Sequence, residues 1–373
     1  MRDDRGEELC YDGPVGESGG VMARVMVVFG GRSEEHEVSL ASARAITRAL
    51  EEGGRHEVVR VGITRSGRWV HSGDPMRELE GGHKPLRDGG SKLEVSGPQS
   101  AAEEKLPAGL GSVDVVFPIL HGPYGEDGTI QGMLELAGVP YVGSGVLGSA
   151  VGMDKITMKK IFAHHGLPQV EWTGLTRKEW ESDPEAKVEE IEASLGYPCF
   201  VKPANLGSSV GIEKAEDAEG LRVALGAAAG LDRRIIVEKG VDAREIEVSV
   251  LGNEDPEVSV PGEILLRGDG FYDYEAKYVE GGMELGVPAK IPDETAEEIR
   301  RTARTAFEAI DAAGMARVDF FLERNTGRLL INEINTIPGF TPTSVYAELW
   351  AASGLLYGDL IERLIELALE RHG

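Results

Sequence analysis

Two runs near the carboxyl end of the chain, MARVDFFLE and RLLINEIN, alternate apolar and polar residues around the turn sequence RNTG. Side chains of a β-strand point to alternate faces, so the two runs predict a hairpin. With the turn centred near Thr326, Asp319 faces Glu333 and Arg317 faces Asn335. This pairing limits how the end of the chain can fold.

The predicted hairpin carries oxygen-bearing side chains on one face. Glu333 and Asn335 are two residues apart and share that face, whereas Asn332 takes the other. Carboxylates placed directly opposite repel each other, so Asp319 and Glu333 predict a cation between them, and oxygen ligands suit Mg²⁺ or Mn²⁺. The residues alone leave two alternatives open: a solvated hairpin face, or a one-residue register slip that separates the pair.

Composition narrows the function classes. The 373 residues carry a formal net charge of −25 with a pI near 4.8, which argues against a nucleic-acid surface and against attraction to anionic lipid. The chain lacks an apolar run of about 18 residues and the blocks of a signal peptide, so we expect no membrane contact. Cys10 and Cys199 form no disulfide framework, which suits the cytoplasm. A bound polyanion must be met locally by lysines.

The hydrophobic pattern predicts an α/β chain behind a flexible tail at residues 1–21. A strand at Val25–Phe29, a glycine turn, a helix near Ser39–Glu51 and a strand near Glu57–Ile63 form a βαβ opening. The polar stretch 72–111 predicts a surface insertion. The predicted units are an N-terminal α/β domain at 22–143, a central unit at 144–237 and a carboxyl-terminal unit at 238–373.

Two glycine-rich segments are candidate phosphate sites. Gly143–Gly148 matches G-x-G-x-x-G and could indicate an NAD(P)-dependent oxidoreductase, but it closes a βα series instead of opening one, so we favour turn and helix-start glycines. The segment FVKPANLGSSVGI could bring backbone N–H groups of its small residues to phosphate oxygens, beside Lys202, Ser208 and Ser209. An ordinary hairpin turn is the alternative, although an unpaired ammonium group in an apolar strand is costly.

Three further segments place polar or aromatic residues at strand ends and in a loop. Glu238 and Lys239 end an apolar strand, where they could contact a nucleobase and a ribose. The sequence GDGFYDYEAKY predicts either a lid over a site or a loop held by its own rings. Glu35 and His36 follow one strand end and His121 follows the neighbouring one, which predicts an amino-acid pocket in the crevice of an open α/β sheet.

A series of motifs in order makes the chain resemble the D-alanine–D-alanine ligase family of the ATP-grasp superfamily. The motifs are GGRSEEHEVS, HGPYGEDGTIQG, GSGVLGSAVGMDK, VKPANLGSSVGI, FYDYEAKY, ARVDFFL and NEINTIPGFTPTS. The resemblance covers Ala23 to about His372. It implies a three-unit ATP-grasp architecture, with an N-terminal open parallel α/β domain and two α+β units that clasp ATP, in a cytoplasmic homodimer.

The resemblance also implies roles for single residues. The implied ATP-binding residues are Lys155, Lys202, Ser208, Ser209, Glu238, Lys239, Val241, Glu245, Phe271 and Lys277. The implied ligands of two Mg²⁺ or Mn²⁺ ions are Asp319, Glu333 and Asn335. The implied D-alanine-binding residues are Glu35, His121, Lys277, Arg317, Gly339 and Ser344, and a catalytic hydrogen-bond chain would join Glu35, Ser208 and Tyr278.

The implied reaction is the ATP-dependent ligation of two D-alanine molecules through a D-alanyl phosphate, for peptidoglycan precursor synthesis. Arg317 and the backbone N–H of Gly339 would stabilise the tetrahedral oxyanion. Related ligases that make D-alanyl-D-lactate differ at the position of Tyr278, so this residue favours D-alanine as nucleophile. A depsipeptide ligase is the nearest alternative, and a non-catalytic ATP-binding regulator is another.

Overall fold

The structure is a computed structural model that describes residues 22–80, 110–207, 211–266 and 283–373. These residues form three β-sheets with helices packed around them. No helix within the described ranges is long and apolar enough to cross a membrane. Several predicted site residues lie outside the described residues: Ser208, Ser209, Phe271, Lys277 and Tyr278.

The N-terminal sheet is built on the predicted βαβ opening. Its strands are β1 (Arg24–Gly30), β2 (Glu57–Ile63), β3 (Trp69–Val70) and β4 (Val115–Ile119), in the order β3-β2-β1-β4. Its helices are α1 (His36–Gly53), α2 (Pro75–Glu80) and α3 (Thr129–Ala137). Strands β2, β1 and β4 are parallel and β3 is antiparallel. The near-continuous apolar sequences of β1 and β4 fit strands that are buried on both faces.

The central unit holds an antiparallel sheet. Its strands are β5 (Trp172–Thr176), β6 (Cys199–Pro203), β7 (Glu213–Ala215) and β8 (Arg234–Lys239), in the order β5-β8-β6-β7. Its helices are α4 (Val146–Met153), α5 (Lys155–His164), α6 (Arg177–Ser182), α7 (Pro184–Leu195) and α8 (Ala218–Leu231). The side chains of Asp154, Thr176, Asp183 and Asp217 accept hydrogen bonds from the first turns of α5 to α8, which explains why those helices begin there.

The carboxyl-terminal unit holds a larger antiparallel sheet. Its strands are β9 (Ala243–Gly252), β10 (Glu257–Val258), β11 (Gly262–Leu266), β12 (Met283–Gly286), β13 (Gly314–Glu323) and β14 (Leu329–Asn335). The order is β12-β11-β9-β13-β14, and β10 pairs with β9. The helices are α9 (Asp293–Ala309), α10 (Val345–Ala352) and α11 (Tyr357–His372).

Two hydrophobic clusters cross the predicted unit boundaries. One joins β1, β4 and α1 to α11, with Leu364 and Ile361 of α11 almost fully buried beside Phe117 of β4. The other places Met158 and Phe162 of α5 in the core of the carboxyl-terminal sheet. Helix α5 therefore lies where the central and carboxyl-terminal units meet.

Most predicted elements are confirmed, and three are corrected. Helix α1 begins at His36, earlier than the predicted Ser39. The sequence VPYVG, residues 139–143, predicts a last short strand of the first domain, but only Tyr141 of it pairs, in a single bridge with Val116. The predicted insertion 72–111 begins with α2 and ends with a 3₁₀ turn, and Met76 and Leu110 within them are buried, so both ends belong to the domain. Residues 81–109 lie outside the described residues.

Candidate active site

A cleft of about 1070 Å³ opens where the three units meet. The N-terminal unit contributes Glu35, His121 and Glu126, the central unit Lys155, Lys202 and Gly207, and the carboxyl-terminal unit Glu245, Arg317, Glu333, Asn335 and Gly339. Many of the side chains predicted from the sequence therefore line one cavity. Most are charged or polar, which suits charged ligands.

The hairpin of β13 and β14 has the predicted register at its polar end. Asp319 pairs with Glu333 and Arg317 pairs with Asn335. A β-bulge follows, because Phe320 pairs with Ile331 and leaves Asn332 as an extra residue in β14. The bulge corrects the simple alternation: Asn332 was predicted on the opposite face, yet it lines the same cleft as Glu333.

Cationic side chains lie beside the facing carboxylates, as their repulsion requires. The Arg317 guanidinium donates to both carboxylate oxygens of Asp319 at 2.7 Å and pairs with Glu247 at 2.9 Å. The Lys155 ammonium lies 3.6 Å from Glu333 Oε2. Arginine suits Asp319 because its planar fork matches a carboxylate bidentately. Both acids are thus partly neutralised by the protein itself.

The donor set of the hairpin fits a divalent cation. Asp319 and Glu333 face each other across neighbouring strands, and both border a smaller cavity of about 280 Å³ together with Glu245 and Glu247. Asn335 accepts a hydrogen bond from the Ile337 N–H through its Oδ1. Within the described ranges, no cluster of three or more His, Cys, Asp or Glu side chains could hold a metal. The hairpin set is two carboxylates and an amide, hard oxygen donors that suit Mg²⁺.

Behind the cleft, Glu238 at the end of β8 is shared by two lysines. Its Oε1 lies 2.7 Å from the Lys159 ammonium and its Oε2 lies 2.5 Å from that of Lys202. Burial works to raise the pKa of Glu238, but the charges and hydrogen bonds of the two lysines lower it to about 2. Burial lowers the pKa of Lys159, which Glu238 partly offsets. Lys202 keeps a raised pKa because Glu238 and Glu333 outweigh its burial.

The start of helix α5 holds the first half of the glycine loop. Asp154 caps the helix and also accepts a hydrogen bond from Asn205 Nδ2 at 3.0 Å. The next residue, Lys155, donates from its backbone N–H to the Ala204 carbonyl and from its ammonium to the Leu206 carbonyl, both at 3.0 Å. The loop is therefore anchored up to Gly207, where this stretch of described residues ends.

On the N-terminal side, Glu35 is buried where two glycines leave room for it. A Cβ atom at Gly122 would lie 2.6 Å from Glu35 Oε2, and one at Gly207 would lie 2.9 Å from it. Both distances are too short for a real side chain, and Gly122 has a positive φ of 73°. The carboxylate of Glu35 thus lies against the glycine loop of the central unit.

His121 is fixed from several sides. Its Nδ1 donates to the Ile337 carbonyl at 2.9 Å and lies 3.6 Å from Glu126, and its Nε2 lies 3.3 Å from Ser42 Oγ. Burial lowers its pKa, but the hydrogen bond and charge of Glu126, with the charge of Glu35, raise the pKa above its ordinary value. The ring therefore ties the N-terminal sheet to the segment that follows β14.

That segment carries the predicted oxyanion donor. Gly339 lines the cleft, and the next residue, Phe340, donates its backbone N–H to Ser42 Oγ at 3.2 Å. Ser344 starts helix α10, and its Oγ accepts the Thr341 N–H at 2.9 Å. Ser344 is not among the residues that line the cleft.

Two predicted site residues have other contacts. His36, expected in the amino-acid pocket with His121, instead donates from Nδ1 to the Gly31 carbonyl at 2.7 Å, so it stabilises the glycine turn after β1. Lys239 is half-exposed and pairs with Glu171 at 2.8 Å. Neither residue lines the cleft. Val241 lies between β8 and β9, outside the cleft lining.

Comparison with known proteins decides the family. Models of the N-terminal and C-terminal parts of D-ala D-ala ligases match residues 24–144 and 161–366. The D-alanine–D-alanine ligase of Bacillus cytotoxicus is 49% identical over 350 residues, which covers 93% of this chain and 95% of that protein. The chain belongs to the D-alanine–D-alanine ligase family.

Solved structures of D-alanine–D-alanine ligases and related enzymes share the fold. The D-alanine-D-alanine ligase from Coxiella burnetii superposes with a TM-score of 0.76 at 34% identity, over 94% of this chain and 95% of that one. The VanG D-Ala:D-Ser ligase from Enterococcus faecalis also gives 0.76, at 35% identity over 93% of this chain and 99% of that one. The predicted ATP-grasp architecture is confirmed.

The D-alanine–D-alanine ligase fold also explains the Gly143–Gly148 segment. A Cβ at Gly148 would lie 2.5 Å from the Asp311 carbonyl, and the Gly143 carbonyl accepts a hydrogen bond from Arg371 at 2.6 Å. Ser144 exchanges hydrogen bonds with the backbone of Ala313. The segment is a packing site against the carboxyl-terminal unit, so the oxidoreductase alternative is not supported.

Three buried charged residues near the D-alanine–D-alanine ligase cleft were missed by sequence reasoning: Glu126, Lys159 and Glu247. Charged residues are usually exposed, so a buried one cannot be recognised from the sequence unless its spacing from a predicted site residue indicates it. Lys159 carries such a signal, because it follows the predicted site residue Lys155 by four positions on one helix.

Proposed function

We propose that this protein joins two D-alanine molecules into D-alanyl-D-alanine at the expense of ATP, in the synthesis of a peptidoglycan precursor. The main support is that a single cleft is lined by Lys155 and Lys202 of the central unit, by Glu333 and Asn335 of the hairpin, and by Glu35 and His121 of the N-terminal unit. Family membership and near full-length similarity to D-alanine–D-alanine ligases give further support. A homodimeric state and a cytoplasmic location are expectations from the family.

The ATP phosphates would lie between the glycine loop and the hairpin. Lys155 and Lys202 line the cleft from the central unit and would meet phosphate oxygens as point charges. Asp319, Glu333 and Asn335 would hold the divalent ions, which when bound neutralise charge on the transferring phosphoryl group. Glu238 keeps Lys202 in position from behind.

The first D-alanine would bind on the N-terminal side, with its ammonium group at Glu35. Glu35 is buried and lines the cleft, so its carboxylate is a suitable hydrogen-bond acceptor for the ammonium group. A carboxylate oxygen of D-alanine attacks the γ-phosphorus, ADP departs, and D-alanyl phosphate forms. This anhydride is a much better electrophile than the carboxylate.

The amine of the second D-alanine then attacks the carbonyl carbon. The C–O bond to phosphate breaks as the peptide bond forms, the amine loses a proton, and inorganic phosphate leaves. Arg317 and Gly339 both line the cleft, where the guanidinium and the Gly339 N–H would stabilise the oxyanion. The proposed Glu35–Ser208–Tyr278 chain and the contacts of Lys277 and Ser344 with the second carboxylate follow from the family alone.

The identity of the second substrate is tested by a product assay. Purified protein with ATP and Mg²⁺ is given D-alanine alone, or D-alanine with D-serine, D-lactate or L-alanine, and the products are identified by mass spectrometry beside coupled detection of ADP. We expect D-alanyl-D-alanine as the main product. A dominant D-alanyl-D-lactate or D-alanyl-D-serine product would move the protein to another branch, and the absence of any ADP release would refute the ligase function.

A further inference from the structure

Lys159 is a buried cation that the proposed mechanism does not use. Its side chain is only 1% exposed, and it does not line the cleft. A buried ammonium group is costly unless it is paired, so its partners indicate what it does. It contacts Glu238 Oε1 at 2.7 Å and donates to the Asn332 carbonyl at 3.3 Å.

These contacts repeat a pattern one helical turn earlier. Lys155 donates to the Leu206 carbonyl at 3.0 Å and lies 3.6 Å from Glu333 Oε2. Residues four apart lie on the same face of a helix, so the two lysines form a column along α5. Each lysine joins the central unit to strand β14, Lys155 at the surface of the cleft and Lys159 behind it.

Lys159 is connected to the cleft through Glu238, which also contacts the cleft residue Lys202. One oxygen of Glu238 contacts Lys159 and the other contacts Lys202 at 2.5 Å. Fixing the first oxygen sets the plane of the carboxylate and so the position of the Lys202 ammonium. Two ammonium groups that share one carboxylate also leave a net positive charge, which would favour a polyanion in front of them.

The hydrogen bond from Lys159 to the Asn332 carbonyl connects Lys159 to the hairpin. The carbonyl that accepts from Lys159 belongs to the extra residue of the β-bulge, directly before Glu333. Bulges re-aim side chains beside functional sites, and an unpartnered carbonyl at that point would be costly. Lys159 therefore holds the backbone in the arrangement that presents Glu333 to the cleft.

We propose that Lys159 is a positioning residue for the nucleotide, which orients Lys202 through Glu238 and fixes the bulge at Asn332 without touching ATP. This rests on the proposed function, because ATP is the ligand whose site is positioned. Direct binding and turnover are therefore measured separately.

The test compares Lys159→Met, which keeps the length and removes the charge, with Lys159→Arg and with Lys160→Met, an exposed neighbour on the same helix. We expect Lys159→Met to raise KM for ATP, and Kd for a non-hydrolysable ATP analogue, at least about tenfold while KM for D-alanine changes less than about twofold. Lys159→Arg should recover part of the loss, and Lys160→Met should match the wild type. If Lys159→Met leaves KM and Kd for nucleotide unchanged, or alters both substrates equally, the positioning role is wrong.

If Lys159→Met folds poorly, its effect is measured in the Glu238→Gln background, because the double variant leaves no buried carboxylate short of a partner. If Lys159 acts mainly through Glu238, adding Lys159→Met to Glu238→Gln should change Kd for the analogue by less than about twofold. A Kd for the analogue that Lys159→Met raises about tenfold in the Glu238→Gln background would contradict a role through Glu238. A wild-type protein that binds the analogue but forms no dipeptide would refute the proposed function and leave the positioning role standing.

Discussion

At the residue scale, the cleft depends on a few close contacts around buried charges. Glu35 fits because Gly122 and Gly207 lack side chains, and Asp319 is held bidentately by Arg317. Substitutions at these positions would displace the charged groups of the cleft. Small substitutions there should therefore affect catalysis more than stability.

Gly207→Ala is expected to weaken binding of the first D-alanine. The added Cβ would lie 2.9 Å from Glu35 Oε2 and would displace that carboxylate. Steady-state kinetics should show KM for D-alanine raised about tenfold, with the melting temperature nearly unchanged. Gly226→Ala, on an exposed part of α8 with open space around it, is the control and should leave KM unchanged. Equal KM values for the wild type and Gly207→Ala would contradict the proposed pocket.

Glu126→Gln is expected to lower the pKa of His121, because it removes the charge that raises it. A raised pKa in the folded state stabilises the protein below the unfolded-state pKa, and that stability is lost as pH rises through the folded-state pKa. The loss of unfolding free energy in Glu126→Gln should therefore be larger at about pH 5.5 than at about pH 8.5. NMR titration of the His121 ring measures the pKa directly. An unchanged pKa would show that Glu126 is not the cause.

At the element scale, helix α5 connects the glycine loop, the lysine column and the hairpin. Its cap, Asp154, accepts hydrogen bonds from Thr157 in the helix and from Asn205 in the loop, and it pairs with Arg234. The cap of α6, Thr176, accepts only from its own helix. Thr176 therefore stabilises only its own helix, whereas Asp154 stabilises its helix and the glycine loop together.

Asp154→Ala and Thr176→Ala should differ in their cost in unfolding free energy and in their effect on kinetics. Thr176→Ala should cost about 1 kcal/mol of unfolding free energy and leave kcat/KM unchanged. Asp154→Ala should cost about 3 kcal/mol, because it also removes the carboxylate that pairs with Arg234, and it should raise KM for ATP. Urea denaturation and steady-state kinetics measure both effects. Similar costs for the two variants would mean that Asp154 is only a helix cap.

The elements that could be predicted are those whose pattern is local. The alternation and the turn predict the β13–β14 hairpin and the Asp319–Glu333 pair at its polar end, but the pairs between the bulge and the turn are shifted by one residue from the predicted register. The bulge at Asn332 could not be predicted, since an extra residue leaves the apolar pattern readable in both registers. His36 was misassigned because a strand-end histidine looks the same whether it binds a ligand or stabilises a turn.

At the scale of the whole molecule, the cleft exists because the units share cores. Helix α11, at the carboxyl end, packs on α1 and on the N-terminal sheet. A hydrogen bond from His121 to the Ile337 carbonyl also joins the N-terminal unit to the segment after β14. Contacts between residues so far apart in sequence are not visible in any local pattern, which is why the shared core was not predicted.

Leu364→Ala should therefore destabilise the N-terminal sheet as well as α11. Leu364 is fully buried in the shared core, and truncation of such a residue costs about 2 to 5 kcal/mol. Differential scanning calorimetry should show one transition at a lower temperature. Two separated transitions, with one unmoved, would mean that the units unfold independently.

The central claim is that the cleft activates the carboxylate of one D-alanine by phosphorylation. The most direct measurement uses D-alanine labelled with ¹⁸O in its carboxylate, together with ATP and Mg²⁺, followed by mass spectrometry of the released phosphate. Attack of the carboxylate on the γ-phosphorus, followed by C–O cleavage, predicts one labelled oxygen in inorganic phosphate for each dipeptide formed. Dipeptide accompanied by unlabelled phosphate would contradict the claim.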